Sequence, residues 1–401
     1  MKSFFVALPL LASLAAAGPV SSEKRDTIPF VELLLNITSI GNTGLEAALT
    51  NPGSSELKLF ATGTILDSAP VEKVAVFSKG KPLPDRHIAS PLLTRDRTEG
   101  RVPFDGVRLR IAPPELITND AFQVIKPNQT VIMKFDFGQM HDLSSGGNYQ
   151  VSAAGGIPYA TGNSTKVEGY IPFKSNVLTI KNVNGTQAAI TRRDFHAESK
   201  RVVIQAGCTR AQNQAVNTAL SNCATLASNA SVAAMRDGRR MNEYFKTTAL
   251  DARRNVSITF QRVAKECTSR LKAVSVSSLY CTDVYNSCKE GVLAYTVPSL
   301  RYMVNCPLYF NALPPLTTTC HAQDQASTTL HEMTHLTQIR GTLDWGVYGY
   351  DAIKTLPSEK NLFHADTFCL FANCKSRPLE ISSWSVTNIL GSCRTWPHVL
   401  S

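Results

Sequence analysis

The sequence predicts a molecule in two parts: an N-terminal region that is mainly β and sandwich-like, and a C-terminal region that is mainly α, of α+β type. Three observations carry this. All ten cysteines of the 401-residue chain lie between Cys208 and Cys393. The region before them is built of short β-branched and aromatic runs broken by Gly, Pro and Asn turn signals. Beyond residue 202 the texture becomes Ala-rich, with apolar residues near helical spacing. At 401 residues and 43% hydrophobic content the chain can hold two or three packed domains, which excludes a disulfide mini-protein and wholesale disorder.

From the start, a basic Met-Lys precedes an apolar run over residues 4–17 that ends in Ala15-Ala16-Ala17-Gly18. This predicts a secretory signal peptide over residues 1–17, cut after Ala17. The run is shorter than the roughly 18 apolar residues of a membrane span, and no later stretch reaches that length. The chain is therefore expected to be secreted, with no membrane partner. The even cysteine count and sequons at Asn36, Asn128, Asn163, Asn184, Asn229 and Asn255 suit that route and a disulfide-bonded glycoprotein.

Strands are expected at residues 31–35, 58–62, 73–77 and 130–135, separated by turns such as Asn51-Pro52-Gly53, in the manner of an antiparallel sandwich or barrel. This region shows no catalytic constellation; His87 and His141 stand alone and read as structural or surface residues. Basic pairs mark the junction, Arg192-Arg193 and then Lys200-Arg201. Cutting after Arg201 by a dibasic processing protease would leave a cysteine-free propeptide over residues 18–201 and a mature chain, residues 202–401. In the latter, helices are expected at residues 211–235, 241–271, 322–338 and 365–372. The net charge of +10 is spread along the chain without dense basic runs interleaved with aromatics, so it reads as a solvated surface with no nucleic-acid partner.

The chemistry concentrates in His331-Glu332-Met333-Thr334-His335. Residues i and i+4 share one helix face, so two imidazoles can converge on one zinc ion. Glu332 flanks the metal without ligating it, where it can take a proton from an activated water. Two histidines need a third protein ligand. Position 341, ten residues after His331, is Gly, which excludes the metzincin extension, and the downstream Glu359 and Glu380 lack helical context. The remaining nearby acid is Asp344, in a segment whose glycines let the backbone turn back toward the helix.

The HEMTH motif followed by GTLDWGVYGYD resembles the deuterolysin family of fungal neutral zinc proteases, the aspzincins, over most of residues 202–374. The resemblance implies a zincin-like domain in which His331, His335 and Asp344 ligate one Zn2+ per chain and Glu332 is the general base. It implies that Tyr348 donates a hydrogen bond to the developing oxyanion. Asp366 matches a family aspartate that either orients a ligand or lines the pocket beyond the scissile bond, with a helix cap as the plainer role. His364 beside it reads as a surface histidine. Asp351 either braces the site or is a helix N-terminal charge.

The resemblance further implies Cys208–Cys281 and Cys288–Cys306. Cys320 is expected to pair with a C-terminal cysteine, Cys223–Cys267 could join the two long helices, and Cys369, Cys374 and Cys393 read as disulfide cysteines. A monomeric metalloendopeptidase is expected, with peptide or protein substrates and its own propeptide as partners. The rival is a non-catalytic zinc-binding or adhesin-like protein on the same scaffold. The family's preference for basic substrates would have to come from local acids such as Asp366. Residues 202–401 carry 19 Lys and Arg against 13 Asp and Glu, near +6, and long-range steering would repel a basic substrate.

Overall fold

The computed structural model describes residues 32–79, 100–203, 207–271 and 277–374. The expected signal segment with Ala17, together with His87, Cys393 and the tail from residue 375, lies outside the described residues.

The N-terminal half contains two sheets. Strand β1 (Leu33–Ser39) alternates by the two-residue period of a half-buried strand: Leu33, Leu35 and Ile37 point inward while Leu34 is exposed. It pairs antiparallel with β2 (Gly44–Thr50), and β2 with β7 (Thr130–Asp136). On its other side β1 runs parallel to β10 (Gly169–Ser175), which leads to β9 (Ala154–Ala160), β3 (Leu57–Phe60) and β6 (Phe122–Ile125) in a seven-stranded sheet. A three-stranded sheet of β11 (Leu178–Val183), β8 (Gly147–Ser152) and β4 (Ala75–Lys79) completes this part. Residues from both, including Ile37, Leu45, Val76 and Val151, share one core cluster. His141 is buried there, Nδ1 on the Phe137 carbonyl at 3.0 Å.

Helix α1 (Gly185–Val203) follows. The Lys200-Arg201 pair falls within its last residues, so the expected processing junction is helical backbone. Beyond it, α2 (Arg210–Arg236) begins at a capping box formed by Thr209 and Gln212 and packs along α4 (Leu250–Leu271). The single helix expected over residues 241–271 is two, α3 (Gly238–Phe245) and α4. Asp237 caps α3, and Lys246 ends it in the left-handed conformation at φ 55°. Short helices α5 (Pro307–Ala312), α7 (Tyr350–Ile353) and α8 (Ser358–Asn361) connect the rest.

Two helices form the interior of this half. All eleven residues of α6 (Gln325–His335) and all nine of α9 (Ala365–Asn373) are buried. α6 is shorter than expected because Asp324 and Ser327 cap it reciprocally at the start and Leu336 turns extended after His335. A sheet of β12 (Ser278–Tyr280), β14 (Tyr302–Asn305) and β13 (Val292–Val297) packs against α6. Its fourth strand, β5 (Arg108–Ile111), comes from the N-terminal half and pairs antiparallel with β13. Leu109 and Ile111 accordingly join the same core cluster as Tyr295, Val297 and Tyr309. The two halves thus share a sheet and a core, which the cysteine boundary did not anticipate.

Disulfides join Cys208–Cys281, Cys288–Cys306 and Cys320–Cys374. A Cys223–Cys267 bridge is not among the described disulfides: both residues are buried where α2 meets α4, and Cys267 Sγ lies 3.3 Å from Met333 Sδ. Cys369, read from the sequence as a disulfide cysteine, is a buried thiol whose Sγ donates to Asp366 Oδ1 at 3.3 Å. No helix among the described residues is long and apolar enough to cross a membrane.

Candidate active site

Helix α6 presents His331 and His335 one turn apart, with their Nε2 atoms 3.1 Å from each other. The ring of His335 is fixed from behind, where its Nδ1–H donates to the Thr342 carbonyl at 2.9 Å, leaving Nε2 to face the site. Asp344 Oδ1 lies 3.2 Å from His331 Nε2 and 3.4 Å from His335 Nε2. The three donor atoms fall within 4.8 Å of one another, and all three residues are buried. Two imidazole nitrogens and one carboxylate oxygen facing a common point are the donor set a zinc ion with one open position takes, so the residues present fit the metal.

The segment carrying Asp344 bends by backbone conformations that favour glycine: Gly341 at φ 70° and Gly346 at φ 65°, with Trp345 also left-handed at φ 55°. It is held at both ends. The Thr342 amide donates to the Thr334 carbonyl of α6 at 3.1 Å, and the Leu343 amide to Phe363 at 2.8 Å. His364, expected at the surface, is fully buried instead; its Nε2 donates to the carbonyls of Asp344 and Val347, each at 2.9 Å. That clamp sets where the Asp344 carboxylate points.

Glu332 is buried beside the two histidines. Thr296 of β13 donates to its Oε2 at 2.6 Å, and its Oε1 has no hydrogen-bond partner among the described residues. Burial pushes its carboxyl up to about 8, near the range a proton-transfer group needs at neutral pH. Asp344 moves the other way: burial would raise it, but His335 and His331 outweigh burial and hold it well below the ordinary carboxylate value. Burial would lower His335, and Asp344 reverses that, whereas burial and then Arg110 keep His331 well below an ordinary imidazole. Burial holds the Tyr348 phenol far above its ordinary value, so its proton stays in place to be donated.

Tyr348 donates to the Leu109 carbonyl at 3.3 Å. Asp366 heads α9 with Oδ2 accepting from the Gly349 amide and Oδ1 3.5 Å from His331 Nδ1, so it borders the site. Asp351 does not reach it: its side chain is 93% exposed and pairs with Lys354 at 2.6 Å, as a surface helix charge. A cleft of about 380 Å³ opens beside Asp344, Trp345 and Tyr348, walled on the other side by Lys73, Arg101 and Gly155 of the N-terminal half.

Sequence reasoning missed Thr296 and Arg110, and placed His364 at the surface. Arg110, on β5, forms an ion pair with Asp366 Oδ1, and its Nη1 sits 3.2 Å from His331 Nδ1. The N-terminal half, read as free of active-site residues, therefore reaches into the site. The alternating pattern Val107-Arg108-Leu109-Arg110-Ile111 was the available signal for a strand there.

The chain is similar to a "Neutral protease 2 homolog" of Colletotrichum graminicola, 44% identical over 370 residues, covering 92% of this chain and 97% of that protein. A homologue of the same name from Phaeosphaeria nodorum is 42% identical over 372 residues, covering 93% of this chain and 98% of that one. Among solved structures a zinc peptidase from Grifola frondosa matches with 21% identity and a TM-score of 0.34, covering 41% of this chain and 96% of that one. With residues 2–383 matching the family as a whole, the chain belongs to the deuterolysin metalloprotease (M35) family.

Proposed function

We propose that the chain is a secreted zinc-dependent endopeptidase made as a preproprotein, with one zinc held by His331, His335 and Asp344. The observation that carries this reading is the convergence of those three donor atoms next to the buried Glu332 carboxyl. Zinc, when bound, supplies a Lewis acid that acidifies water and polarises a peptide carbonyl. Glu332 takes the proton of the attacking water and delivers it to the departing amine, with Thr296 aiming its carboxyl. Tyr348 donates its phenolic hydrogen to the oxyanion that develops on the substrate. Asp366 offers a buried carboxylate to a basic side chain of the substrate, which supports a preference for basic proteins despite the positive charge of residues 202–401.

The test is hydrolysis of casein by the chain cut after Arg201, abolished by a chelator and restored by zinc. Glu332→Gln should retain one zinc per chain yet lose about 10²–10⁴-fold in kcat/KM. A zinc-loaded, folded chain that cleaves nothing would favour the non-catalytic binding protein.

A further inference from the structure

We propose that strand β5 is a built-in substrate mimic: it occupies the peptide-binding edge of β13 with Arg110 seated on Asp366, and so holds the uncut chain silent. The inference rests on the peptidase reading above and concerns how that same site is regulated.

The first support is topological. Without β5, β13 would be the free edge of its sheet, a row of unpaired backbone groups that accepts an extended peptide. β5 takes that edge in antiparallel register, with Ala294 opposite Arg110, Tyr295 opposite Leu109 and Thr296 opposite Arg108. Thr296 is the residue that bonds Glu332, so a peptide on this edge runs past the catalytic carboxyl. The grip continues beyond the strand, where the Ala112 amide donates to Gly291 at 2.7 Å and Gln323 Nε2 donates to the Ile111 carbonyl at 3.1 Å. Pro113 and Pro114, which lack the N–H a ladder needs, then end the pairing.

The second support is chemical. The Leu109 carbonyl accepts the hydrogen bond of Tyr348, the phenol assigned to the substrate oxyanion. The next residue, Arg110, is 1% exposed and meets Asp366, also 1% exposed. A buried carboxylate without a cation beside it is costly, and among the described residues Arg110 is the permanently charged side chain that pairs with Asp366. The Leu109–Arg110 peptide therefore sits as a substrate bond would, with its carbonyl on the oxyanion donor and its following side chain in the acidic pocket. The N-terminal half braces the strand from behind: Glu72 pairs with Arg108 at 2.7 Å, and the Val107 amide donates to Pro70 at 2.9 Å.

The experiment uses the full chain with Lys200-Arg201 replaced by Ala-Ala, loaded with zinc, and a fluorescence-quenched peptide carrying Lys after its scissile bond. The uncut chain should hydrolyse the peptide about 100-fold or more slowly than the chain cut after Arg201. Arg110→Ala should speed the uncut chain by about 10-fold or more, and Arg110→Lys should stay silent. Amide exchange over Val292–Val297 should quicken in Arg110→Ala alone. A folded, uncut Arg110→Ala chain as slow as its parent, with unchanged exchange, overturns the proposal. Should that variant not fold, the synthetic peptide of residues 107–113 is tested on the cut enzyme. Competitive inhibition that weakens about 10-fold when Arg110 becomes Ala supports the proposal, and no competition overturns it. A cut chain without chelator-sensitive hydrolysis would refute the peptidase reading itself, whereas a cut and an uncut chain of equal activity would refute only the mimic.

Discussion

Helix α6 and the 341–349 segment each carry side chains of the proposed zinc site, but they hold them by different physics. α6 fixes the positions of His331 and His335 through helical geometry and complete burial, so both residues are placed by one rigid rod, and the ring of His335 also donates to the segment, at the Thr342 carbonyl. The segment has no regular structure around Asp344. It depends on Thr334, Phe363 and His364 from neighbouring elements to hold the turn. A regular element therefore carries its own placement, while an irregular one borrows it, and the two should fail differently.

The largest effect should come from removing a donor on either side. His335→Ala and Asp344→Asn should each weaken zinc binding by about 10³-fold or more and abolish peptidase activity. Zinc content after dialysis and activity measured together would check this. Retention of zinc by Asp344→Asn would show that the segment is not part of the metal site.

The acids on the two sides also respond oppositely to pH. In the metal-free chain Glu332 titrates at about 8, above its ordinary 4.5, chiefly through burial. Between those values the folded state binds more protons than the unfolded, so stability should fall as pH rises from 4.5 to 8, by about 2–4 kcal/mol. Asp344, held below its ordinary value, contributes stability above pH 3.8 that is lost on acidification. Melting of the metal-free chain from pH 5 to 8 should show the fall, and Glu332→Gln should flatten it. An unchanged slope in that variant would assign the effect to another group.

His364 tests the borrowed support directly. His364→Ala leaves the Val347 carbonyl without its side-chain donor and the Asp344 carbonyl with the Val347 amide alone, while changing no metal-binding side chain. Zinc affinity should drop about 10–100-fold. The fold should lose about 2 kcal/mol, read as a lower melting temperature. Equal zinc affinity with lowered stability would make His364 a packing residue only.

The same division explains what could be read in the sequence. The spacing of His331 and His335 on one helix face is a local signal, and α6 repeats it in space. Asp344 came from eliminating the other nearby acids and then from resemblance, because left-handed positions at Gly341 and Trp345 leave no period to follow. Thr296 was hidden for another reason: β13 is buried on both faces, so its six residues show no alternation. Arg110 lies 221 residues before His331, and only strand pairing between the two halves brings them together. His364 was in view beside Asp366, but nothing in its neighbours reveals that two carbonyls of a distant turn would bury it. The split between α3 and α4 turned on Lys246, whose left-handed conformation its residue type does not announce.

Thr342 gives the finest test, because it offers His335 two different groups. Its carbonyl accepts from Nδ1 at 2.9 Å, and its hydroxyl lies 3.1 Å from the same nitrogen and 2.8 Å from Thr334 Oγ1. Thr342→Val keeps the shape and the carbonyl and removes only the hydroxyl. Thr334 Oγ1 retains the His331 carbonyl as its acceptor at 2.7 Å, so no donor is stranded. The cost should be about 1 kcal/mol of stability, with zinc affinity within about 3-fold of the parent, measured by melting and by competition with a chelating dye. A loss of zinc affinity as large as that of His364→Ala would mean that the hydroxyl orients His335. The helical side of the site would then depend on the segment as much as the segment depends on its neighbours, and the contrast between the two would narrow to Glu332 and His331.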